Sequence, residues 1–439
     1  MAGPISASTN SVTRLLNHAP MSGLQIRAIA LSVALNALDG FDVLAMTFVA
    51  PDISRAWGLG PAALGVTLSA GLAGMAGGSL LLAPLGDRFG RRPLVLLCIA
   101  IMALGMGLTA MSRGIWDLCL WRVVTGFGIG GMVAAINAVA AEFSNEKRRD
   151  FSVAVMAVGY PIGGLIGGFL VSEFLIEHGW QIVFIAGAIA TALFLPLSMA
   201  FLPESLEYLE QQNSPSSRQK IAALLRKMGH PPVDMPEYST PLSTKGGSYS
   251  ELLGPNYRRV TLLLVVAYFL HIVTFYFFSG WLPKLVHDAG FTMPDAIRTS
   301  ALMSLGGVLG GSALGWIAPR FGLARVVALS MAGTTIMLGC FALSKQLWLL
   351  QSTAFLAGVC VFGGIVGLFA LLARAFPPEL RVTGTGLAVG LGRGAAVVGP
   401  IMGGLLMAQG MSTAMTLAII GLNASGAAII IAMLNRQKP

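Results

Sequence analysis

Apolar stretches long enough to cross a lipid bilayer recur along the whole chain and limit what it can fold into. A helix needs about 20 mostly apolar residues to cross the hydrocarbon core, and twelve such stretches are present, separated by short polar segments. The stretches are continuously apolar, which excludes the alternating strands of a membrane barrel. We therefore predict an all-α integral membrane protein with twelve spanning helices. The predicted spans are residues 26–50, 61–84, 93–112, 115–140, 151–173, 180–202, 259–283, 297–318, 323–343, 347–373, 383–408 and 411–434.

The charge distribution predicts the topology. Charged residues make up only 11% of the chain, too few to cover a soluble globule. The formal charge of +9 raises the possibility of nucleic-acid binding. However, with a cytoplasmic N-terminus most of the 28 basic residues fall in cytoplasmic segments, as the positive-inside rule requires. We expect both termini in the cytoplasm, the lipid bilayer as a partner, and no nucleic-acid partner.

A long polar segment separates six spans from the other six. We divide the chain into an N-terminal segment, a first six-helix bundle, a central loop, a second six-helix bundle and a C-terminal segment. These are residues 1–25, 26–202, 203–258, 259–434 and 435–439. Within the loop, residues 216–229 begin with a capping serine, continue with apolar periodicity and end in glycine, which predicts a short interfacial helix. We expect the rest of the loop to be a tether.

The two halves repeat each other at a constant offset. Arg-Phe-Gly occurs at residues 88–90 and again at 320–322, and the same offset of 232 residues relates Arg149 to Arg381. Several glycines recur at this offset as well. Six helices repeated in parallel orientation are the architecture of major facilitator transporters, whose substrate site lies near the membrane midplane between the halves.

Three motifs in the first half are similar to those of the major facilitator superfamily. Residues 86–92 (GDRFGRR), between the second and third spans, resemble its cytoplasmic signature loop. Residues 122–128 (RVVTGFG) are similar to its fourth-helix motif, and residues 203–209 (PESLEYL) resemble the motif that closes the sixth helix.

Two further stretches resemble one family within that superfamily. Residues 39–42 (DGFD) on the first span, together with residues 381–400 on the eleventh, are similar to the aromatic acid:proton symporter family. The resemblance covers nearly the whole chain and is weakest in the central loop. It implies an importer of benzoate-like and hydroxybenzoate-like acids in the bacterial inner membrane.

Asp39 and Asp42 are the candidate proton-coupling acids. They lie three residues apart on one face of the first span. A rise of about 1.5 Å per residue, counted from the start of the span, puts both deep in the hydrocarbon. Ionisable residues at such depth are functional by default. We expect Arg122, at a similar depth on the fourth span, to act with them. The alternatives are a polar pair that only joins helices, or an Arg122 that holds the substrate carboxylate.

The candidate substrate residues lie mainly in the second half. We expect Arg393, near the midplane of the eleventh span, to clamp the carboxylate, because a guanidinium binds this group in a planar fork. His271 occupies the position of Asp39 in the repeat and either titrates in the site or packs as a hydrogen-bonded histidine. Phe275 and Tyr276 offer ring faces to an aromatic substrate, and Asn36 completes the predicted set.

Charged residues at the cytoplasmic ends form a predicted gate. We expect Asp87, Arg88, Arg92 and Glu142 to form a charge lock between helices that holds the outward-open state and breaks as the halves rock. In the second half Arg374 is the repeat counterpart of Glu142, and we assign Arg381 to the gate too. For Arg91 we expect only the orienting effect of a positive charge.

The resulting hypothesis is a proton-coupled importer of small aromatic carboxylates that works by alternating access and is not an enzyme. The alternatives are a transporter of other organic anions, or an exporter, on the same fold. An intramembrane enzyme that binds a magnesium diphosphate would need a second acidic cluster near the water interface, which the sequence lacks. The four cysteines lie within spans without metal-binding spacing. We expect no cofactor or metal, only the proton as coupling ion, and a monomer.

Overall fold

A computed structural model of the protein describes residues 15–16, 19–212, 214–230, 249–376 and 378–435. Most of these residues are helical, and twelve helices are long and apolar enough to cross a membrane. The predicted all-α fold with twelve spans is confirmed. The helices are α1 (Gly23–Trp57), α2 (Pro61–Leu81), α3 (Ala83–Phe89), α4 (Arg91–Ala110), α5 (Ile115–Glu142), α6 (Arg149–His178), α7 (Gln181–Phe201), α8 (Leu206–Gln212), α9 (Pro215–Lys227), α10 (Tyr249–Leu252), α11 (Arg258–Asp288), α12 (Met293–Phe321), α13 (Leu323–Leu343), α14 (Leu347–Ala375), α15 (Pro378–Ala408) and α16 (Thr413–Asn435).

Several helices extend beyond their predicted spans, because hydropathy marks only the part that crosses the hydrocarbon. The first span, predicted to end at residue 50, continues as α1 to Trp57 and stops at Gly58, whose φ of 61° is left-handed. At its start the Ser22 side chain accepts a hydrogen bond from the backbone of Gln25. The second predicted span is divided, since α2 ends at Leu81 and α3 follows as a separate short helix.

The predicted helix of the central loop is present as α9, but its cap lies two residues earlier than expected. Ser214, not Ser216, is the N-cap, and it forms a capping box with Ser217. Ile221 and Leu225 bury the apolar face of α9 against the bundle. The short helices α8 and α10 were not predicted. Residues 213 and 231–248 of the central loop, and most of both terminal segments, lie outside the described residues.

The helices form two bundles, α1–α7 and α11–α16. We call the end that carries α8, α9 and α10 the inner end and the opposite end the outer end. Within the bundles α2 and α4 pack on α5, α1 packs on α6, α12 packs on α14, and α11 packs on α15. Between the bundles, α2 packs on α15, α6 on α12, and α1 on α11.

Repeat-related glycines bring helices into backbone contact in both bundles. A β-carbon at Gly126 of α5 would collide with the backbone carbonyl of Gly71 in α2. The equivalent residue, Gly358 of α14, lies against the carbonyl of Met303 in α12 in the same way. Small residues permit this close packing in lipid, where no hydrophobic force drives helices together.

Candidate functional site

The site is built around the two acids of α1. The side chains of Asp39 and Asp42 are buried, and neither Asp39 Oδ1 nor either carboxylate oxygen of Asp42 has a hydrogen-bond partner among the described residues. Between them Gly40 lets α6 cross closely, because a β-carbon there would collide with the carbonyl of Tyr160. An uncompensated buried charge is costly, so these acids need a proton or a cation as a partner.

Arg122 of α5 lies beside Asp42 but binds its backbone. The guanidinium is buried, and Nη2 donates a hydrogen bond of 2.8 Å to the carbonyl of Asp42. Nε and Nη1 have no partner among the described residues. The charged group also lies 5.7 Å from the ring centroid of Phe184, within the range of a cation–π contact. Arg122 therefore has donors left over for an acid or a ligand.

Arg393 of α15 approaches the acids from the other bundle. It is half-buried and interacts electrostatically with Asp39 of α1 and with the tyrosines Tyr160, Tyr268 and Tyr276. The cation predicted to hold the carboxylate and one of the predicted coupling acids thus lie within electrostatic range of each other, on opposite halves of the protein.

Aromatic rings from both bundles meet beside these charges. The ring centroid of Tyr160 in α6 lies 6.5 Å from that of Phe362 in α14. Phe275 of α11 lies 5.1 Å from Phe362 and 4.7 Å from Tyr276. The hydroxyl of Tyr160 is buried and has no partner among the described residues. Sequence reasoning missed Tyr160 and Phe362; the available signal for Tyr160 was an aromatic residue in the glycine-rich run 159–168.

A small cavity lies between the halves. Its walls include Thr47 and Arg122 from the first bundle and Tyr276, Ser279 and Pro400 from the second. The space open to the centre of a water molecule is about 20 Å³, which accommodates about one water. An aromatic ring cannot enter until the surrounding helices move apart.

Two predicted substrate residues make structural contacts within their own bundle. His271 is buried, and Nε2 forms a hydrogen bond of 2.9 Å with the carbonyl of Val361 in α14. This contact favours the packing alternative for the histidine. Asn36 Nδ2 donates a hydrogen bond of 2.7 Å to the carbonyl of Met156, which joins α1 to α6. Neither residue lines the small cavity.

At the inner end the charged cluster is centred on Arg91, which the sequence analysis did not include in the predicted lock. Arg91 forms ion pairs with Asp87 and with Glu142, the latter at 3.3 Å. Arg88 is exposed and lies over the ring of Phe89. The prediction that Arg88 and Arg92 supply the cations facing these acids is therefore corrected, because the start of α4 directs the Arg91 side chain between them.

The start of α4 is held by a further acid without a predicted role. Glu204 Oε1 accepts hydrogen bonds from the backbone nitrogens of Arg91 and Arg92, at 2.8 Å and 3.2 Å. A carboxylate at a helix N-terminus satisfies free N–H groups and the helix dipole. Arg92 Nη2 donates to the carbonyl of Met199 at 2.5 Å, which ties α4 to α7.

The second bundle has a different arrangement at the inner end. Arg374, the repeat counterpart of Glu142, is exposed near the end of α14. The side chain of Arg381 lies outside the described part of the chain, so its role in the gate stays a prediction.

Comparison with known proteins gives consistent matches. A family model described as Major Facilitator Superfamily matches residues 30–344 and 264–439. A gallate transporter of Pseudomonas putida is 32% identical over 419 residues, covering 95% of this chain and 93% of the relative. The 4-hydroxybenzoate transporter PcaK of Acinetobacter baylyi is 32% identical over 429 residues, covering 95% and 92%. The benzoate transport protein of the same organism is 26% identical over 412 residues, covering 90% and 86%.

A solved structure has the same fold. The xylose transporter XylE from E. coli, in a structure titled as its inward open conformation, superposes with a TM-score of 0.72 at 17% sequence identity. The match covers 93% of this chain and 96% of that one. At this identity the likeness concerns the fold alone.

Proposed function

Because the chain belongs to the Major Facilitator Superfamily of transporters, we propose that it imports small aromatic carboxylates together with protons by alternating access. The observation that carries the proposal is the arrangement of Asp39 and Arg393, an acid and a cation from opposite bundles, beside a cluster of aromatic rings. The names of the relatives support an aromatic acid as the substrate class.

Arg393 binds the substrate carboxylate in this proposal. Its guanidinium can form the planar two-point contact that carboxylates favour. The rings of Tyr160, Phe362 and Phe275 lie on both sides of the bundle interface, so a flat aromatic substrate packed among them would contact both halves at once. A substrate that contacts both halves can shift the equilibrium between the outward-open and inward-open conformations.

Asp39 and Asp42 carry the proton. Asp39 Oδ1 and both carboxylate oxygens of Asp42 lack a hydrogen-bond partner in the described part of the chain, so a proton is the partner that removes the cost of burying them as charges. An anion that enters a negatively charged cell moves against the membrane potential. Each proton that accompanies it contributes about 2.3 kcal/mol per 100 mV, and symport therefore suits import.

Alternating access is supported by the tight closure between the bundles at the outer end. A β-carbon at Gly65 of α2 would lie 2.7 Å from the carbonyl of Pro400 in α15, and Ser69 Oγ donates to the carbonyl of Val397 at 2.8 Å. Because the cavity between the halves has room for about one water molecule, a substrate from the outer side needs these helices to separate. We place the inner end in the cytoplasm of a bacterial inner membrane, by the positive-inside rule.

Gradient-driven uptake by purified protein in liposomes tests this function. An interior that is alkaline and negative should drive accumulation of labelled 4-hydroxybenzoate above its external concentration, and a proton ionophore should abolish it. Unlabelled benzoate and gallate should compete, whereas an aliphatic acid such as succinate should not. Competition by succinate alone would indicate another organic anion. Extrusion under the same gradient would indicate an exporter.

A further inference from the structure

The outer ends of α1 and α11 are joined by an arginine–histidine contact. Nη2 of Arg55 lies 2.7 Å from Nε2 of His287. The two residues are 232 positions apart, which is the repeat offset, so they occupy equivalent places in the two bundles. Residues related by a twofold axis touch each other only close to that axis. The contact therefore lies where the outer ends of the halves meet.

The hydrogen bonds around His287 determine which of its nitrogens carries the proton. Nδ1 lies 3.1 Å from the carbonyl of Phe291, and a carbonyl can only accept, so Nδ1 must carry a hydrogen. In a neutral imidazole the other nitrogen is then an acceptor. An arginine offers only donors, and Nε2 accepts the hydrogen bond from Arg55. The contact as found requires a neutral His287.

A second proton on His287 removes this contact. It would sit on Nε2 and point at the guanidinium, so that two donors and two positive charges face each other. Histidine is the side chain whose charge ordinarily changes between about pH 5 and 8. Arg55 is exposed and His287 is half-buried, so protons from the outer solution can reach them.

The other charges near His287 are largely paired with one another. On α1, Asp52 lies 3.4 Å from Arg55 and offsets part of its charge. On α11, Lys284 pairs with Asp288 at 2.5 Å. Among helices packed on α11, α12 contributes two charges at its outer end: Asp295, bonded to the Thr292 hydroxyl, and Arg298, paired with Glu173 of α6. Lys345 precedes α14, while residues 394–435 of α15 and α16 contain no titratable side chain.

We propose that Arg55 and His287 form a proton-released latch on the outer face. The neutral histidine holds the outer ends of α1 and α11 together, and its protonation from outside releases them. The closed state then binds this proton more weakly than the open state, and linkage requires that acid outside favours opening. The path from the outer solution to the buried acids Asp39 and Asp42 would open when protons are available. The latch goes beyond the proposed function, since it requires neither substrate nor coupling by Asp39 and Asp42.

The test measures separation of the outer ends in full-length protein in lipid nanodiscs, without substrate or gradient. Arg113 and Lys345 are exposed residues at repeat-equivalent outer positions of the two bundles. Spin labels on Arg113→Cys and Lys345→Cys, with Cys98, Cys119, Cys340 and Cys360 replaced by alanine, report their distance. Between pH 8 and pH 5 we expect the ratio of long to short distances to rise about 5-fold or more, the lower range of linked equilibria.

Two variants test the assignment to this contact. His287→Gln keeps an acceptor for Arg55 but cannot gain a charge, so the short distance should persist at both pH values. Arg55→Gln removes the facing cation, and the pH response should be lost. His230→Gln, at the inner end, is the matched control and should respond like the parent. These three variants and the parent are compared in an Asp39→Asn/Asp42→Asn background, where the two buried acids cannot titrate. A parent without a response, or a response unchanged in His287→Gln, would overturn the latch.

Discussion

Arg122 donates a hydrogen bond of 2.8 Å to the backbone carbonyl of Asp42, while both carboxylate oxygens of Asp42 have no hydrogen-bond partner among the described residues. The cation is thus held next to the acid without neutralising it by a direct contact. Nε and Nη1 of Arg122 also lack partners there. Both groups therefore keep hydrogen-bonding capacity for another partner, which suits proton loading and release.

Asp42→Asn should separate exchange from coupled accumulation. The amide has nearly the shape of the acid but cannot carry a charge, so substrate binding and exchange across the membrane should continue. Proton-driven accumulation should be lost. Counterflow and gradient-driven uptake of labelled 4-hydroxybenzoate in the same liposomes measure the two activities. Accumulation at the level of the unmodified protein would remove Asp42 from the coupling mechanism.

Arg393→Gln should weaken substrate binding strongly. Removal of one partner from a buried, hydrogen-bonded charge pair costs about 2–5 kcal/mol, and about 1.4 kcal/mol corresponds to a factor of ten. We therefore expect the dissociation constant of 4-hydroxybenzoate to rise about 30-fold or more, measured by calorimetry. Arg393→Lys should recover little, because lysine lacks the planar fork. The exposed Arg325 of α13 provides the control, and an equal loss in Arg325→Gln would point to a general effect of charge.

Tyr160→Phe should affect binding without affecting stability. Its hydroxyl has no protein partner among the described residues, so its removal leaves no hydrogen bond of the empty protein broken. A hydrogen bond to the substrate would be lost, at a typical cost of about 0.5–1.5 kcal/mol. We expect weaker binding of 4-hydroxybenzoate at an unchanged melting temperature. Tyr257→Phe, at the inner end, is the control; unchanged affinity in Tyr160→Phe would show that the hydroxyl does not contact the substrate.

Gly40→Ala should destabilise the protein, whereas Gly315→Ala should not. The added methyl at Gly40 meets the backbone of Tyr160, while the site at Gly315 is open. Overpacking typically costs about 1–3 kcal/mol, but alanine at an open helical site gains up to about 1 kcal/mol in helix propensity. Thermal unfolding in detergent measures both. Equal stability of the two variants would contradict the close crossing of α1 and α6.

Glu204→Ala should loosen the start of α4. The carboxylate accepts hydrogen bonds from the backbone nitrogens of Arg91 and Arg92, and loss of a capping group costs about 0.5–2 kcal/mol. We expect a lower melting temperature than for Glu146→Ala, an exposed change at the same end that should stay within about 0.5 kcal/mol. If the two variants melt alike, the cap contributes little to stability.

The fold and the family were predictable because they depend on features that are local or periodic. The length and hydropathy of each span predict a helix whatever its neighbours are. The recurrence of Arg-Phe-Gly at residues 88–90 and 320–322 predicted the repeat, and the repeat-related Gly126 and Gly358 lie where a helix backbone approaches closely. The resemblance in residues 39–42 and 381–400 indicated the family that the comparisons confirm.

The partners within the site were not predictable in the same way. Arg88, Arg91 and Arg92 are chemically identical side chains in one basic run, and only the folded structure shows that Arg91 pairs with both Asp87 and Glu142. Likewise, no spacing indicates that Tyr160 of α6 meets Phe362 of α14, because their contact depends on how two separate bundles face each other.

The sequence by itself therefore determined that the chain crosses the membrane twelve times in two repeated halves, and that Asp39, Asp42, Arg122 and Arg393 lie within spans. Burial of apolar surface in lipid enforces these features one helix at a time. Tertiary structure alone decided that Arg122 binds the peptide of Asp42 and that Arg55 meets His287. Such contacts join helices distant in sequence, and their geometry depends on crossing angles and side-chain directions that emerge only when the helices pack.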